Sequence, residues 1–332
     1  MTARRVARQS RNGIASAQRQ RGVAMMVAIL LVAFGTILAA AIAFKSAMAA
    51  RRSTATMAVD QSVLMAEAAE ALAAYALRED GKSSGGGQSS QTYPGQAWSQ
   101  PLGPVEVVPG VVLEAYVEDA SGRFNLNSVV DGNGEVDPIA LDKLADLMEQ
   151  AGLERKWASI FADWIDTDTQ PLNDGAEDST YAAQDPPYRA PNTVINSVSE
   201  LLAMPEFGRE RYVKLAPFVI ALPRDATINV CSASGVVLDS LVGPTYKEHG
   251  PDPEALQKAR ENGCFPPKDT LLSTIRDPQE RQKVEGRVSE TSNYFRLTSI
   301  VTIGSAEFAL YSLLYRDPTN QIHVLLRNFT PD

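Results

Sequence analysis

Val23–Phe44 reads VAMMVAILLVAFGTILAAAIAF, 22 residues without a charge, set between Arg21-Gly22 and Lys45. At about 1.5 Å rise per residue it reaches roughly 33 Å, enough to cross a hydrocarbon core of about 30 Å. A secretory signal peptide has a shorter apolar core, roughly 7 to 15 residues, although Ala47-Met48-Ala49 resembles its small-residue cleavage site. A buried helix of a soluble domain rarely runs this far without a polar face. The stretch therefore reads as a transmembrane anchor, and the rest of the chain is organised around it.

Upstream, the first 22 residues hold Arg4, Arg5, Arg8, Arg11, Arg19 and Arg21 and no acid. Such a basic arm stays in the cytoplasm, which puts the C-terminal body on the far side of the membrane. Arg51 and Arg52 pull the other way but are outnumbered. Downstream, Lys45–Arg78 contains no proline or glycine and is rich in Ala, Met, Leu and Glu, good helix formers. Val59, Val63, Ala66, Leu72 and Leu77 recur at helical spacing. One helix of about 55 residues follows, from Val23 to Arg78, half in lipid and half packed on a soluble domain.

An Arg-Gly pair, an uncharged stretch and a long amphipathic continuation resemble a type IV prepilin or pseudopilin. The resemblance implies that a prepilin peptidase cuts after Gly22, leaving Val23 as the first mature residue and the basic arm as a leader. Most of that family has glutamate at the fifth mature position, which here is Val27. A buried carboxylate in lipid is costly without a cationic partner, so a subunit with no neighbour above it gains nothing from one. This departure is similar to the type II secretion minor pseudopilin K, the general secretion pathway protein K family, whose member sits at the pseudopilus tip.

Further stretches resemble the same family across most of the body: Gly122-Arg123-Phe124-Asn125-Leu126-Asn127, Asp163-Trp164-Ile165-Asp166-Thr167-Asp168 with Gly175-Ala176-Glu177-Asp178, and Pro187-Tyr188-Arg189. Ser197–Leu201, Leu215–Val219, Ile228-Asn229-Val230 and Ser232-Ala233-Ser234 continue the series. What the resemblance implies is an α+β fold: a type IV pilin-like long N-terminal helix on a small antiparallel sheet, with a large inserted α-helical domain. It also implies other minor pseudopilins as partners in a tip complex, along with prepilin peptidase and the inner-membrane secretion platform. The location would be the bacterial inner membrane, single-pass, with a periplasmic body.

Pattern alone divides the chain compatibly. Gly81–Gln91, GKSSGGGQSSQ, is a flexible Gly/Ser segment. Val105–Val117 is β-branched and broken by Pro109-Gly110, a hairpin signal. Helical patterns cover Ile139–Ala151, Arg155–Ile165, Ser199–Met204 and Arg209–Phe218, and strands return at Tyr294–Ile303, Ala306–Arg316 and Ile322–Phe329. Strand, helix and strand again place a helical unit between strands of one sheet. The expected segments are a leader at 1–22, the membrane part of the helix at 23–44 and its periplasmic part at 45–78. Linker and first strands occupy 79–122, the inserted α-domain and following loops 123–289, and the C-terminal strands 290–332.

Charge narrows the function classes. The net charge is −9, but without the six leader arginines 25 basic side chains face 40 acidic ones, giving −15. Such a body repels nucleic acid and anionic lipid and suits cations, including Ca²⁺. Val198–Leu241 invites comparison with DNA-binding helix-hairpin-helix modules, but holds only Arg209, Arg211, Lys214 and Arg224 against five acids. A single-pass anchored periplasmic binding or interaction protein is the competing reading. No Walker loop, GxSxG or HExxH motif is present, and His249 and His323 stand without a nucleophile or ligand cluster in sequence, so no enzyme is expected.

The acidic stretch Asp163–Asp178 is the site candidate, because hard cations take six to eight oxygens. Counted from Asp166, Asp168, Gln170, Leu172, Asp174 and Glu177 fall at EF-hand positions, but Pro171 stands where the sharp turn needs glycine. The family resemblance implies calcium in the α-domain, with Asp166, Asp168, Asn173, Glu177 and Asp178 as ligands; a solvated acidic loop is the alternative. Asp131–Asp137 also has a Ca²⁺-loop spacing but reads as an Asn-Gly turn, with Asp137-Pro138 capping the next helix. Cys231 and Cys264 are the only cysteines, and outside the cytoplasm an even pair favours a disulfide over two free thiols.

Overall fold

The structure, a computed structural model, describes residues 12–82, 91–246 and 253–330. Residues 1–11 of the expected leader, residues 83–90 of the Gly/Ser segment, and His249 lie outside the described residues. The chain divides into two units, Met1–Gln61 and Ser62–Asp332.

The first helix, α1, runs Asn12–Lys82, 71 residues. It is longer than the sequence suggests at both ends, because residues 12–21 hold no proline and Gly81 continues the last turn. In the first unit the apolar stretch lies open along its whole length: Val23, Leu30 and Phe44 are 62%, 68% and 70% exposed. Gly22–Lys82 is the one described helix long and apolar enough to cross a membrane. Thr36, the one hydroxyl of the stretch, donates back to Ala33 O at 2.8 Å, and a helix whose other exposed side chains are apolar is suited to lipid rather than water.

In the second unit, α1 from Ser62 onward lies on a five-stranded antiparallel sheet made of an N-terminal hairpin and a C-terminal meander, joined edge to edge. The hairpin β1 (Leu102–Val108) and β2 (Val111–Asp119) turns at Gly110, whose φ of 80° suits glycine. The meander β7 (Tyr294–Ile303), β8 (Ala306–Arg316) and β9 (Ile322–Asn328) follows the expected spans closely. β2 pairs with β7 in continuous register from Val111 opposite Ile303 to Asp119 opposite Phe295. Everything between Asp119 and Tyr294 is therefore an insertion into one sheet, the α+β arrangement expected.

The helix face that meets the sheet is not the expected one throughout. Ala66, Ala69, Ala73 and Leu77 are buried, whereas Val59 and Leu72 are about half exposed. Three alanines let the helix backbone approach the sheet closely, and the larger Leu72 is left on the other side. Their cluster takes in Leu113, Phe295, Leu297, Val301, Leu310 and Leu314, alternate residues of β2, β7 and β8. Trp98 closes it edge-on against Phe295, with ring centroids 5.2 Å apart. One carboxylate enters this face: Glu70 accepts from Arg327 Nε and Nη2 at 2.9 and 2.6 Å and from Ser312 Oγ at 2.5 Å. At the helix end, Asn320 donates to Arg78 O at 2.9 Å, capping α1 from the β8–β9 turn.

The insertion carries its own core. In chain order it holds β3 (Phe124–Asn125), α2 (Pro138–Gln150), α3 (Lys156–Ile165), α4 (Asp178–Ala182), α5 (Gly208–Leu215) and β4 (Val219–Ile220). β5 (Ile228–Asn229), α6 (Gly235–Val242), α7 (Pro253–Ala259), α8 (Lys268–Ser273), α9 (Pro278–Glu285) and β6 (Val288–Ser289) complete it. α2 starts as anticipated, with Asp137 accepting from Ile139 N and Ala140 N and Pro138 in the first turn. α4 and the four helices from α6 to α9 are not anticipated: α4 is too short for a readable period, and α6–α9 are six to eight residues each, about two turns.

The repeated polar motifs turn out to be joints of this core. Gly122 lies so close to Ser232 O that a Cβ would stand 2.9 Å from it. Asn125 donates to Pro223 O at 2.7 Å and accepts from Leu222 N at 3.0 Å. Asn127 bonds Ile195 N, Ile195 O and Leu222 O, each at 2.9 Å. Asn229 donates to Asp119 Oδ2 at 2.7 Å, tying the insertion to the end of β2. Buried amides of this kind hold irregular backbone whose polar groups would otherwise go unpaired.

Candidate metal centre

The last turn of α3 delivers Asp163 and, at its C-cap, Asp166. A helix C-terminus repels carboxylates, so two acids three residues apart there are unfavourable unless something else binds them. The chain returns through Leu172, whose N–H lies 3.2 Å from both oxygens of Asp163. Gly175 N donates to Leu172 O at 2.9 Å and shapes the return. A Cβ at 175 would stand against Asp163 Oδ2, so any larger residue there would force the carboxylate or the loop to shift. Glu177 then enters at the N-cap of α4.

The result is a buried triad. Asp163, Asp166 and Glu177 each offer a carboxylate oxygen within 4.8 Å of the others, and they are 0%, 2% and 4% exposed. Asp166 Oδ1 and both oxygens of Glu177 have no hydrogen-bond partner. Burial pushes the Asp163 carboxyl up to about 6, opposed by the N–H groups of Leu172 and Ala176. Burial, then the charges of Asp168, Asp163 and Glu177, push Asp166 up to about 7. Glu177 is raised for the same reasons, burial first and Asp163 next. Among the described residues, no cation is paired with the three.

The surroundings are built. Trp164 and Tyr181 meet edge-on at 5.0 Å, and Tyr181 and Tyr188 lie 5.5 Å apart. Thr167 N donates to Gly134 O at 3.1 Å, so the Asp131–Asp137 turn braces the loop. That turn is self-contained, with Asp131 Oδ1 accepting from Asn133 N and Glu135 N at 2.8 and 3.0 Å. Asn192, at φ 46°, donates to Asp168 O at 2.9 Å from the opposite side.

Of the sequence candidates, Asp166 and Glu177 belong to the triad. Asp168 is exposed, accepts from Gln170 N at 2.7 Å, and acts on all three by its charge. Asn173 is exposed on the loop. Asp178 accepts from Ala190 N at 3.2 Å and lies 3.8 Å from Arg189. Asp163 was not among the candidate ligands. The signal for it was an i, i+3 pair of acids at a helix end where the dipole disfavours them, followed by a glycine-bearing return loop.

The donor set fits a hard cation. It is all oxygen, with neither histidine nor cysteine, and three carboxylate oxygens are buried without partners. Such groups stay ionised only beside positive charge. Outside this centre, Cys231 and Cys264 are joined by a disulfide with Cα atoms 4.6 Å apart.

A family model described as type II secretion system protein K matches residues 122–224, which contain the triad and its loops. The chain is 32% identical over 321 residues to type II secretion system protein K of Pseudomonas aeruginosa, covering 93% of this chain and 92% of the relative. The chain belongs to the type II secretion system protein K family. The protein K of Pectobacterium carotovorum is 28% identical over 316 residues, covering 90% and 93%. Among solved structures, a chain in the crystal structure of the GspK-GspI-GspJ complex from enterotoxigenic Escherichia coli superposes with TM-score 0.72 at 25% identity. The match covers 85% of this chain and all of the other. Membership of the protein K family makes the chain a structural minor pseudopilin of type II secretion, with a pilin-like body carrying an α-domain.

Proposed function

We propose that this chain is the tip subunit of a type II secretion pseudopilus, helping to initiate its assembly for protein export across the outer membrane. The observation that supports it is the insertion between β2 and β7. An α-domain of some 170 residues is inserted between neighbouring strands of a pilin-like sheet, bulk that an ordinary stacked subunit does not need and that suits an end position. The absence of an acid at Val27 agrees with that position. By analogy with the GspK-GspI-GspJ complex, the partners are two further minor pseudopilins. The apolar part of α1 sits in the inner membrane after prepilin peptidase removes the leader at Gly22, with the body periplasmic.

In the same reading Asp163, Asp166 and Glu177 hold Ca²⁺, with Asp168 adding negative charge close by. The ion supplies positive charge that fixes the α3–α4 return loop; the role is structural. Two measurements test the proposal. Mass spectrometry of the mature chain is expected to place its N-terminus at Val23, and an unprocessed N-terminus counts against it. Affinity capture with the full chain is expected to recover the two other minor pseudopilins. Capture of major pseudopilin in equal amount, as from an ordinary shaft subunit, would overturn the tip assignment.

A further inference from the structure

The insertion also contains a cavity that shares no residue with the acidic triad. It has a volume of about 290 Å³ and lies between α2, α6, the C-terminal end of α9 and the loop leading to β5. Its apolar lining includes Phe124, Ala140, Ile228 and Leu241. Four cations also line it: Lys143, Arg224, Lys283 and Arg287, against one acid, Asp225. In a body with 25 basic side chains and 40 acidic ones, that local excess is the reverse of the general balance.

The cations are only partly used. Lys143 pairs with Glu280 at 2.6 Å, and Arg287 pairs with Asp137. The Nε of Arg287 and that of Arg224 are both buried without a hydrogen-bond partner. Neither Arg224 nor Lys283 has an ion pair among the described residues. Asp225 bears on Tyr294 by its charge. The carbonyl end of α9, which would repel an anion, is occupied: Lys268 Nζ donates to Glu285 O at 3.0 Å, and also to Val288 O of β6 at 2.9 Å.

We propose that this cavity binds a small organic carboxylate with a short apolar body. The carboxylate is held at Arg224, with Lys283 and Arg287 beside it, and the apolar part lies against Phe124, Ile228 and Leu241. The planar guanidinium matches a carboxylate in a two-point geometry that a lone lysine lacks. A purely inorganic anion would leave the apolar wall in contact with water. The assignment is independent of the metal centre, because none of its residues belongs to the acidic triad.

The test uses full-length protein in detergent, titrated calorimetrically with benzoate and, separately, with inorganic phosphate. Benzoate is expected to bind, and Arg224→Gln to weaken it by about 10-fold or more, the loss of one charge-assisted contact. Arg209→Gln, an exposed arginine of α5, is the control and is expected to leave the affinity unchanged. The thermal midpoint of each unliganded variant reports folding independently. No benzoate binding by the intact protein, equal weakening in both variants, or phosphate binding in place of benzoate would each overturn the proposal.

Discussion

Asp163 Oδ2 occupies the space that a Cβ at Gly175 would need, so the acid at the end of α3 and the glycine of the return loop are compatible only as a pair. Gly175→Ala must displace the carboxylate or the loop. If the triad holds Ca²⁺, the substitution is expected to weaken binding by about 10-fold or more, as for groups that orient ligands. Calorimetric titration of metal-stripped protein with Ca²⁺ measures this. An unchanged affinity would separate Asp163 from the ion.

The same burial predicts a pH dependence. In the metal-free protein, Asp163 and Asp166 titrate near 6 and 7, above the roughly 4 of an unfolded chain. Raised carboxyls favour the folded state when protonated, so their contribution is full below about pH 4 and is lost as pH rises through about 7. Thermal midpoints of chelated protein are therefore expected to fall between pH 5 and pH 8. Added Ca²⁺, which needs the ionised forms, is expected to restore most stability at pH 8 and little at pH 5. A Ca²⁺ effect independent of pH would contradict this.

A third expectation concerns the joint between α1 and the sheet. Glu70 is 4% exposed, while the Arg327 side chain is about half exposed. Glu70→Ala frees an arginine that can turn to water or to Glu67, 3.6 Å away. Arg327→Ala instead strands a buried carboxylate with only Ser312. The second substitution is expected to cost more, about 3 kcal/mol against about 1 kcal/mol. Chemical denaturation of the two variants decides the order, and equal costs would show that Glu70 relaxes outward.

These cases mark what the sequence makes legible. The strands β7, β8 and β9 stand within a residue of their expected spans, since each is rich in β-branched, aromatic or other apolar residues, with breaks at Gly304-Ser305 and Asp317–Gln321 between them. The insertion could be inferred because helical periods fall between two sets of strands. The helix face was legible only in part, because Ala66, Ala69 and Ala73 carry little hydrophobic signal and are buried for their small size. Asp163 escaped because it lies inside a helix, where an acid normally faces solvent; its burial depends on a loop returning twelve residues later. Arg224 and Lys283, 59 residues apart in the chain, line one cavity, a convergence that no local pattern encodes.

Val27 provides the last expectation, in the apolar part of α1. It is 49% exposed on a helix with no charge from Val23 to Phe44. One glutamate there costs about 3 kcal/mol in lipid, which 21 other uncharged residues can absorb, so Val27→Glu is expected to insert normally. In the pseudopilin family an acid at this position pairs with the N-terminus of the preceding subunit. A tip subunit has no such neighbour, and its carboxylate would have to stay unpaired or recruit one. Secretion by a strain carrying only Val27→Glu is therefore expected to fall several-fold while membrane levels of the chain hold steady. Wild-type secretion from that strain would mean that the missing acid has no bearing on the tip role.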